Sequence, residues 1–238
     1  MLTINNVTHT FGRQMVLDNF SFETKKAGLY VFAGANGSGK STLFNCIGGF
    51  IRPASGTISL NRCTHPDVYR KQLGISMEPF KTESNLTAGQ ILEIARLPKK
   101  VGIDEVNHWL EWWELTDAVH KKFKALSVGM IKRLSLITSL LGDPQALLWD
   151  EPFNGLDPLG MEKLRQLITD QLAKGKLILC STHILGELGN DDAQIIIMEN
   201  GRLIRQAQRS QLKTLNEADK KEIVHLFEPA LAELTNQN

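Results

Sequence analysis

Residues 28–42, GLYVFAGANGSGKST, constrain the fold more than any other stretch of this chain. A continuous apolar run ends in glycine, a glycine-rich turn follows, and a helical pattern, STLFNCIGGF, begins at its end. The run reads as a strand buried on both faces. The turn fits G-x-x-x-x-G-K-[ST], from Gly34 through Ala35, Asn36, Gly37, Ser38 and Gly39 to Lys40, Ser41 and Thr42. Backbone N–H groups converge on a phosphate chain only where the main chain curls tightly, and glycine permits that curl. The positive end of the following helix faces the same phosphates. Lys40 is then placed to reach the β- and γ-phosphates, and the Ser41 hydroxyl to ligate Mg²⁺.

ALLWDEP (146–152) supplies a second half. An apolar strand delivers Asp150 to its carboxyl end, where one carboxylate can hold the water shell of a hard cation. Glu151 projects to another side, as a group that polarises an attacking water. His183 closes the run KLILCSTH at the same sheet edge, where open α/β folds bind ligands.

Buried runs recur at 145–150, 176–182 and 193–199, with amphipathic helical patterns between them. One such pattern is the stripe Met161, Leu164, Ile168 and Leu172, with Asp157 as N-cap and Pro158 at the first helical position. This alternation predicts an α/β domain around a largely parallel sheet. The first segments, LTINNVTHTF and LDNFSFET, alternate apolar and polar residues as half-buried antiparallel strands do. Residues 81–143 contain no buried run and read as helices, TAGQILEIARL, DEVNHWLEWWEL and GMIKRLSLITSLL. In the last of these, Lys132 and Arg133 are expected on a solvated face, opposite a stripe of Ile131, Leu134, Ile137 or Thr138, and Leu141. In HWLEWWEL, Trp109, Leu110 and Trp113 are expected to pack, leaving Trp112 as an exposed indole available to a partner.

A formal net charge of +1 gives no global field that would attract nucleic acid. Cys46, Cys63 and Cys180 are odd in number and widely spaced, so neither a disulfide framework nor a metal cluster is expected. The opening MLTINNVTHTFG lacks the regions of a secretory signal, and no apolar run would span a bilayer. A soluble protein that meets a membrane only through a partner is the expectation.

With these motifs in order, the chain resembles the nucleotide-binding subunit of ATP-binding cassette (ABC) transporters, from Leu2 to Leu212. GANGSGKST is similar to the family's Walker A motif, ALLWDE to Walker B with its catalytic glutamate, and STH to the switch-histidine loop. NGLD (154–157) looks like the D-loop, with Asp157, and LSVGM (126–130) stands where the family signature LSGGQ falls. Phe11 matches the aromatic residue that stacks on adenine, although an aromatic at a strand end is also ordinary core packing. Glu78, ending LGISME, stands in place of the Q-loop glutamine; it can offer an oxygen to Mg²⁺, but its charge would repel a γ-phosphate. Glu78, Met130 and the wording DEPFNGLDPLG resemble the ABC-2-type exporter branch.

The resemblance implies a P-loop NTPase (RecA-like) α/β core at 1–80 and 144–212, with an N-terminal antiparallel β-subdomain. A helical subdomain (81–143) and a C-terminal helical appendage (213–238) complete it. It also implies an ATPase with ATP and Mg²⁺ as cofactors, the cation held by Ser41, Asp150 and Glu78. Its partners would be a transmembrane permease and a second nucleotide-binding subunit, expected as a homodimer, peripheral on the cytoplasmic face of the cell membrane. In such dimers Ser127 and Gly129 act in trans on the other subunit's ATP, while Glu151 and His183 serve catalysis. Ser127 can also cap its own helix, and Gly129 permits close backbone approach. The competing expectation is a soluble ATPase of the same class in assembly or regulation, hydrolysing weakly because of Glu78, Val128 and Met130.

Overall fold

A computed structural model describes residues 1–190 and 192–213. The alternating N-terminal segments become strands β1 (Leu2–Phe11) and β2 (Gln14–Glu23), paired antiparallel. The apolar run that enters the glycine loop becomes β3 (Gly28–Ala33), and the loop opens into α1 (Lys40–Ile47). β4 (Ser55–Leu60) joins the first two strands in a three-stranded sheet of order β2-β1-β4. After a short α2 (Pro66–Tyr69) comes β5 (Leu73–Ser76).

Helices then follow without a strand between them. They are α3 (Ala88–Arg96), α4 (Ile103–Trp112) and α5 (Val128–Leu140). Thr87 starts the first with a capping box: its hydroxyl accepts from the Gln90 N–H, and the Gln90 side chain accepts from the Thr87 N–H. The chain returns to the sheet as β6 (Ala146–Trp149), α6 (Pro158–Ala173) and β7 (Leu177–Thr182). It ends with β8 (Gln194–Glu199), β9 (Arg202–Gln208) and α7 (Arg209–Lys213). The expected helical appendage beyond this lies outside the described residues.

The larger sheet has the order β5-β6-β7-β3-β8-β9, parallel throughout except for the last pair. β3 is therefore central, with β7 on one side and β8 on the other. Its side chains alternate between two cores. Leu29, Val31 and Ala33 pack with the helices of 81–143 and with α6, whereas Tyr30 and Phe32 pack with α1 and the antiparallel sheet. A strand covered on both faces needs apolar residues at every position, which is why this one reads as a continuous run.

Three strands lay outside the sequence expectation: β4, β5 and β9. β5 has only four residues, and β9 is an edge strand whose residues alternate between half-buried and exposed. Neither has the unbroken apolar run that marked the central strands. The tryptophan expectation is corrected in one respect. Trp113 is fully buried, but Trp112 is half-buried and packs on the same core as Trp109 instead of facing outward. α4 ends at Trp112, so helical spacing no longer relates Trp112 to Trp113 and the residues beyond it. Among the described residues no helix is long and apolar enough to cross a membrane.

Candidate active site

The glycine loop leaves the carboxyl end of β3 and turns sharply at Gly39, whose φ is 101°. A Cβ there would lie 2.7 Å from the Val16 carbonyl oxygen, so both the conformation and the space demand glycine. Ala35, Asn36 and Gly37 form the exposed rim, while Ser38, Gly39 and Lys40 are buried. Ser41 and Thr42 lie in the first turn of α1, the former exposed. The Lys40 ammonium donates to the carbonyl oxygens of Gly34 (2.7 Å) and Ala35 (3.2 Å). Burial pulls its pKa below the usual lysine value, and the charges of Glu151 and Asp150 oppose that pull. The loop lysine and the Walker B-like carboxylates therefore face one another.

Asp150 is completely buried at the end of β6. One carboxylate oxygen accepts from the Ser181 hydroxyl, while Oδ2 has no partner. Burial raises its pKa above the usual carboxylate value; the hydrogen bond from Ser181, the nearby Ser41 hydroxyl and the charges of Lys132 and Lys40 counter the rise. A divalent cation fits this arrangement: it would relieve a buried carboxylate that has an unpartnered oxygen and lies within reach of the Ser41 hydroxyl.

Glu151 follows with φ at 45°, a left-handed conformation unusual for a residue with a side chain. Its N–H donates to Ser181 Oγ at 2.8 Å, so one serine on β7 organises both acidic residues. His183 Nδ1 lies 3.0 Å from Glu151 Oε2. An ionised carboxylate only accepts, so the proton in this contact sits on Nδ1. A neutral ring then presents Nε2 as an acceptor, and donating to a phosphate oxygen takes a second proton or a rotated ring. The Glu151–His183 contact and the role of Ser181 escaped the sequence reading, although both follow from β6 and β7 being neighbours.

The first turn of α5 overturns another expectation. Lys132 is not solvated; it is 4% exposed. Its ammonium pairs with the Glu78 carboxylate and donates to the Glu151 carbonyl oxygen at 2.9 Å. Arg133 is likewise engaged, bonding Asp157 at 2.7 Å and the Trp113 carbonyl at 3.3 Å. Both charges find partners on loops that hydropathy along the helix does not register. Glu78, expected at the cation, pairs with Lys132.

Ser127 caps α5 as expected, accepting from the Met130 N–H at 3.2 Å. Gly129 packs against the loop of Asp157: a Cβ on it would lie 2.8 Å from the Gly155 carbonyl oxygen. Asp157 caps α6 by accepting from the Gly160 N–H at 2.9 Å. Phe11 is 52% exposed and touches the His9 ring edge-on, so it is not a core residue.

The ABC transporter family profile matches residues 17–154, more than half of the chain. YcbN of Bacillus subtilis, an ABC transporter ATP-binding protein, is 34% identical over 221 residues, covering 89% of this chain and 71% of its own. The bacitracin transport ATP-binding protein BcrA of Bacillus licheniformis is 33% identical over 225 residues, 91% and 72% of the two chains. The lantibiotic transport ATP-binding protein SrtF of Streptococcus pyogenes is 29% identical over 228 residues, 96% and 99% of the two. Among solved structures, a dimeric ATP-binding cassette in a post-hydrolysis state with ADP and Pi superposes with a TM-score of 0.77 at 25% identity, covering 88% of this chain and 99% of that one. The profile spans both the Lys40 loop and the Asp150–Glu151 turn that the fold brings face to face, and the chain belongs to the ABC transporter family, as an ATP-binding subunit that hydrolyses ATP.

Proposed function

We propose that this subunit powers export through a transmembrane permease, working as a homodimer on the cytoplasmic face of the cell membrane. The observation that carries the reading is the convergence of Lys40, Asp150 and Glu151 at the carboxyl ends of β3 and β6. The bacitracin and lantibiotic transport relatives support export as the direction. In this reading 1–212 form one ATPase domain with 81–143 as its helical part.

Residues 34–42 cradle the phosphates, and Phe11, already exposed, stacks on the adenine. Ser41 and Asp150 would hold Mg²⁺, which supplies positive charge to the phosphate oxygens when bound. Glu151 takes a proton from, or orients, the attacking water, and His183 holds the Glu151 carboxylate in place. Ser127 and Gly129 of one subunit meet the γ-phosphate bound to the other.

Replacing Glu151 with Gln keeps its shape and removes its basicity. Turnover should fall by roughly 10²–10⁴-fold, the usual worth of a general base, while ATP holds the protein as a dimer on gel filtration. A variant that hydrolyses at the wild-type rate would remove Glu151 from the mechanism.

A further inference from the structure

The family's glutamine is a glutamate here, in a place where a second negative charge should oppose ATP. The structure supplies a counter-charge. Glu78 and the backbone carbonyl of Glu151 share one ammonium, that of Lys132, which comes from the signature helix and is almost completely shielded from water. Glu78 itself is 38% exposed, so the pair sits at the mouth of the site with the lysine on its inner side. Lys132 also acts on Asp150 through its charge. Two acidic side chains, Glu78 and Asp150, and the main-chain carbonyl of Glu151 therefore stand around the buried ammonium that α5 contributes. Removing the lysine alone would leave a carboxylate unopposed beside the place where the γ-phosphate must come.

We propose that Lys132 neutralises Glu78 so that the two together replace a neutral amide, and that this pair sets the preference of the site for ATP over ADP. The γ-phosphate carries the charge that separates ATP from ADP, so an unpaired Glu78 acts on one nucleotide far more than on the other. Lys132 is in this sense a positioning residue: it touches Glu78 and the main chain of Glu151, and acts on ATP through them. The inference rests on the Lys40–Asp150–Glu151 turn being the γ-phosphate site.

The test is equilibrium binding of fluorescent ATP and ADP analogues, with Mg²⁺ at low ionic strength, to the full chain. Lys132→Met should weaken ATP about tenfold and ADP less than about threefold, a gap set by one like-charge interaction. Glu78→Gln/Lys132→Met, which restores a neutral site, should bring ATP back to within about threefold of wild type. Equal losses for both nucleotides, or no recovery in the double variant, would overturn the proposal. Should Lys132→Met fail to fold, Glu78→Gln alone decides: an unpaired ammonium should raise the ATP-to-ADP preference, and an unchanged preference counts against the idea. Lys40→Ala serves as the control for the underlying reading. If it binds ATP as wild type does, the γ-phosphate site has been misplaced, whereas loss in Lys40→Ala with no change in Lys132→Met defeats only the Lys132 proposal.

Discussion

Ser181 does for this site what no motif announces. Its hydroxyl donates to the buried Asp150 carboxylate and accepts from the Glu151 N–H, holding the two acidic residues in register. That matters because Glu151 sits in a left-handed backbone conformation, which persists only if its surroundings fix it. Ser181→Ala removes a donor from a carboxylate and an acceptor from an N–H, both buried or nearly so. The expected cost is about 1–3 kcal/mol of stability. If the lost order is felt in the transition state, turnover falls roughly tenfold to a hundredfold, about 1.36 kcal/mol for each tenfold. Thermal denaturation and steady-state ATPase kinetics on the same preparation check both. A variant with normal turnover would mean that β6 alone positions Glu151.

At the scale of elements, the sheet is pinned at the end opposite the site. Lys176, just before β7, is 7% exposed and pairs with Asp143, just before β6. The hydrogen bond from Lys176 holds the Asp143 carboxyl below the usual range, burial opposes this, and the lysine's charge adds to it. A carboxylate with a lowered folded-state pKa contributes stability that is present above its ordinary value and is lost as pH falls through the lowered one. Asp143→Asn should therefore melt below wild type at neutral pH, with the gap closing under acid conditions. Because Asp143 is largely exposed, solvent screening limits the loss to roughly 1 kcal/mol, or about 2–4 °C. Lys176→Met also breaks the pair, but it leaves only an exposed carboxylate in water and spares the desolvation of a buried ammonium, so its loss should be smaller than that of Asp143→Asn. Equal losses in the two variants would count against this account. Elements were legible in the sequence where the chain's own periodicity decides them: β3, β6, β7 and β8 as unbroken apolar runs, and α6 from its stripe and its Asp157–Pro158 start. The glycine loop and the Asp150–Glu151 turn were legible because their chemistry is carried by adjacent residues. The roles of Lys132 and Arg133 were not, because helix periodicity sorts residues by hydropathy and sends every charge to water. Their partners lie on other loops, Glu78 being 54 residues away along the chain.

For the whole molecule, the first turn of α5 is where one subunit would meet the ATP of its partner, and this turn is also fastened to its own site. Lys132 ties it to the Glu78 and Glu151 segments, and Arg133 and Gly129 tie it to the loop of Asp157. These contacts join the signature directly to the same subunit's acidic turn. Val128 is the departure that bears most directly on that closure. It begins α5, is 69% exposed, and leans on Gly155, where an added Cβ would lie 2.7 Å from its Cγ1. A branched side chain at this first helical position would hinder an anion from reaching the N–H groups of the helix N-terminus. Glycine in its place would uncover them, at a cost to α5 of at most about 0.5–1 kcal/mol. In a Glu151→Gln background, where hydrolysis does not empty the dimer, Val128→Gly should lower the protein concentration needed for half-dimerisation with ATP by roughly threefold to tenfold, about 0.7–1.4 kcal/mol. Sedimentation velocity across a concentration series measures it. A weaker dimer would mean that Val128 is an apolar contact between subunits, and the signature would then close on ATP with its valine as part of the seal.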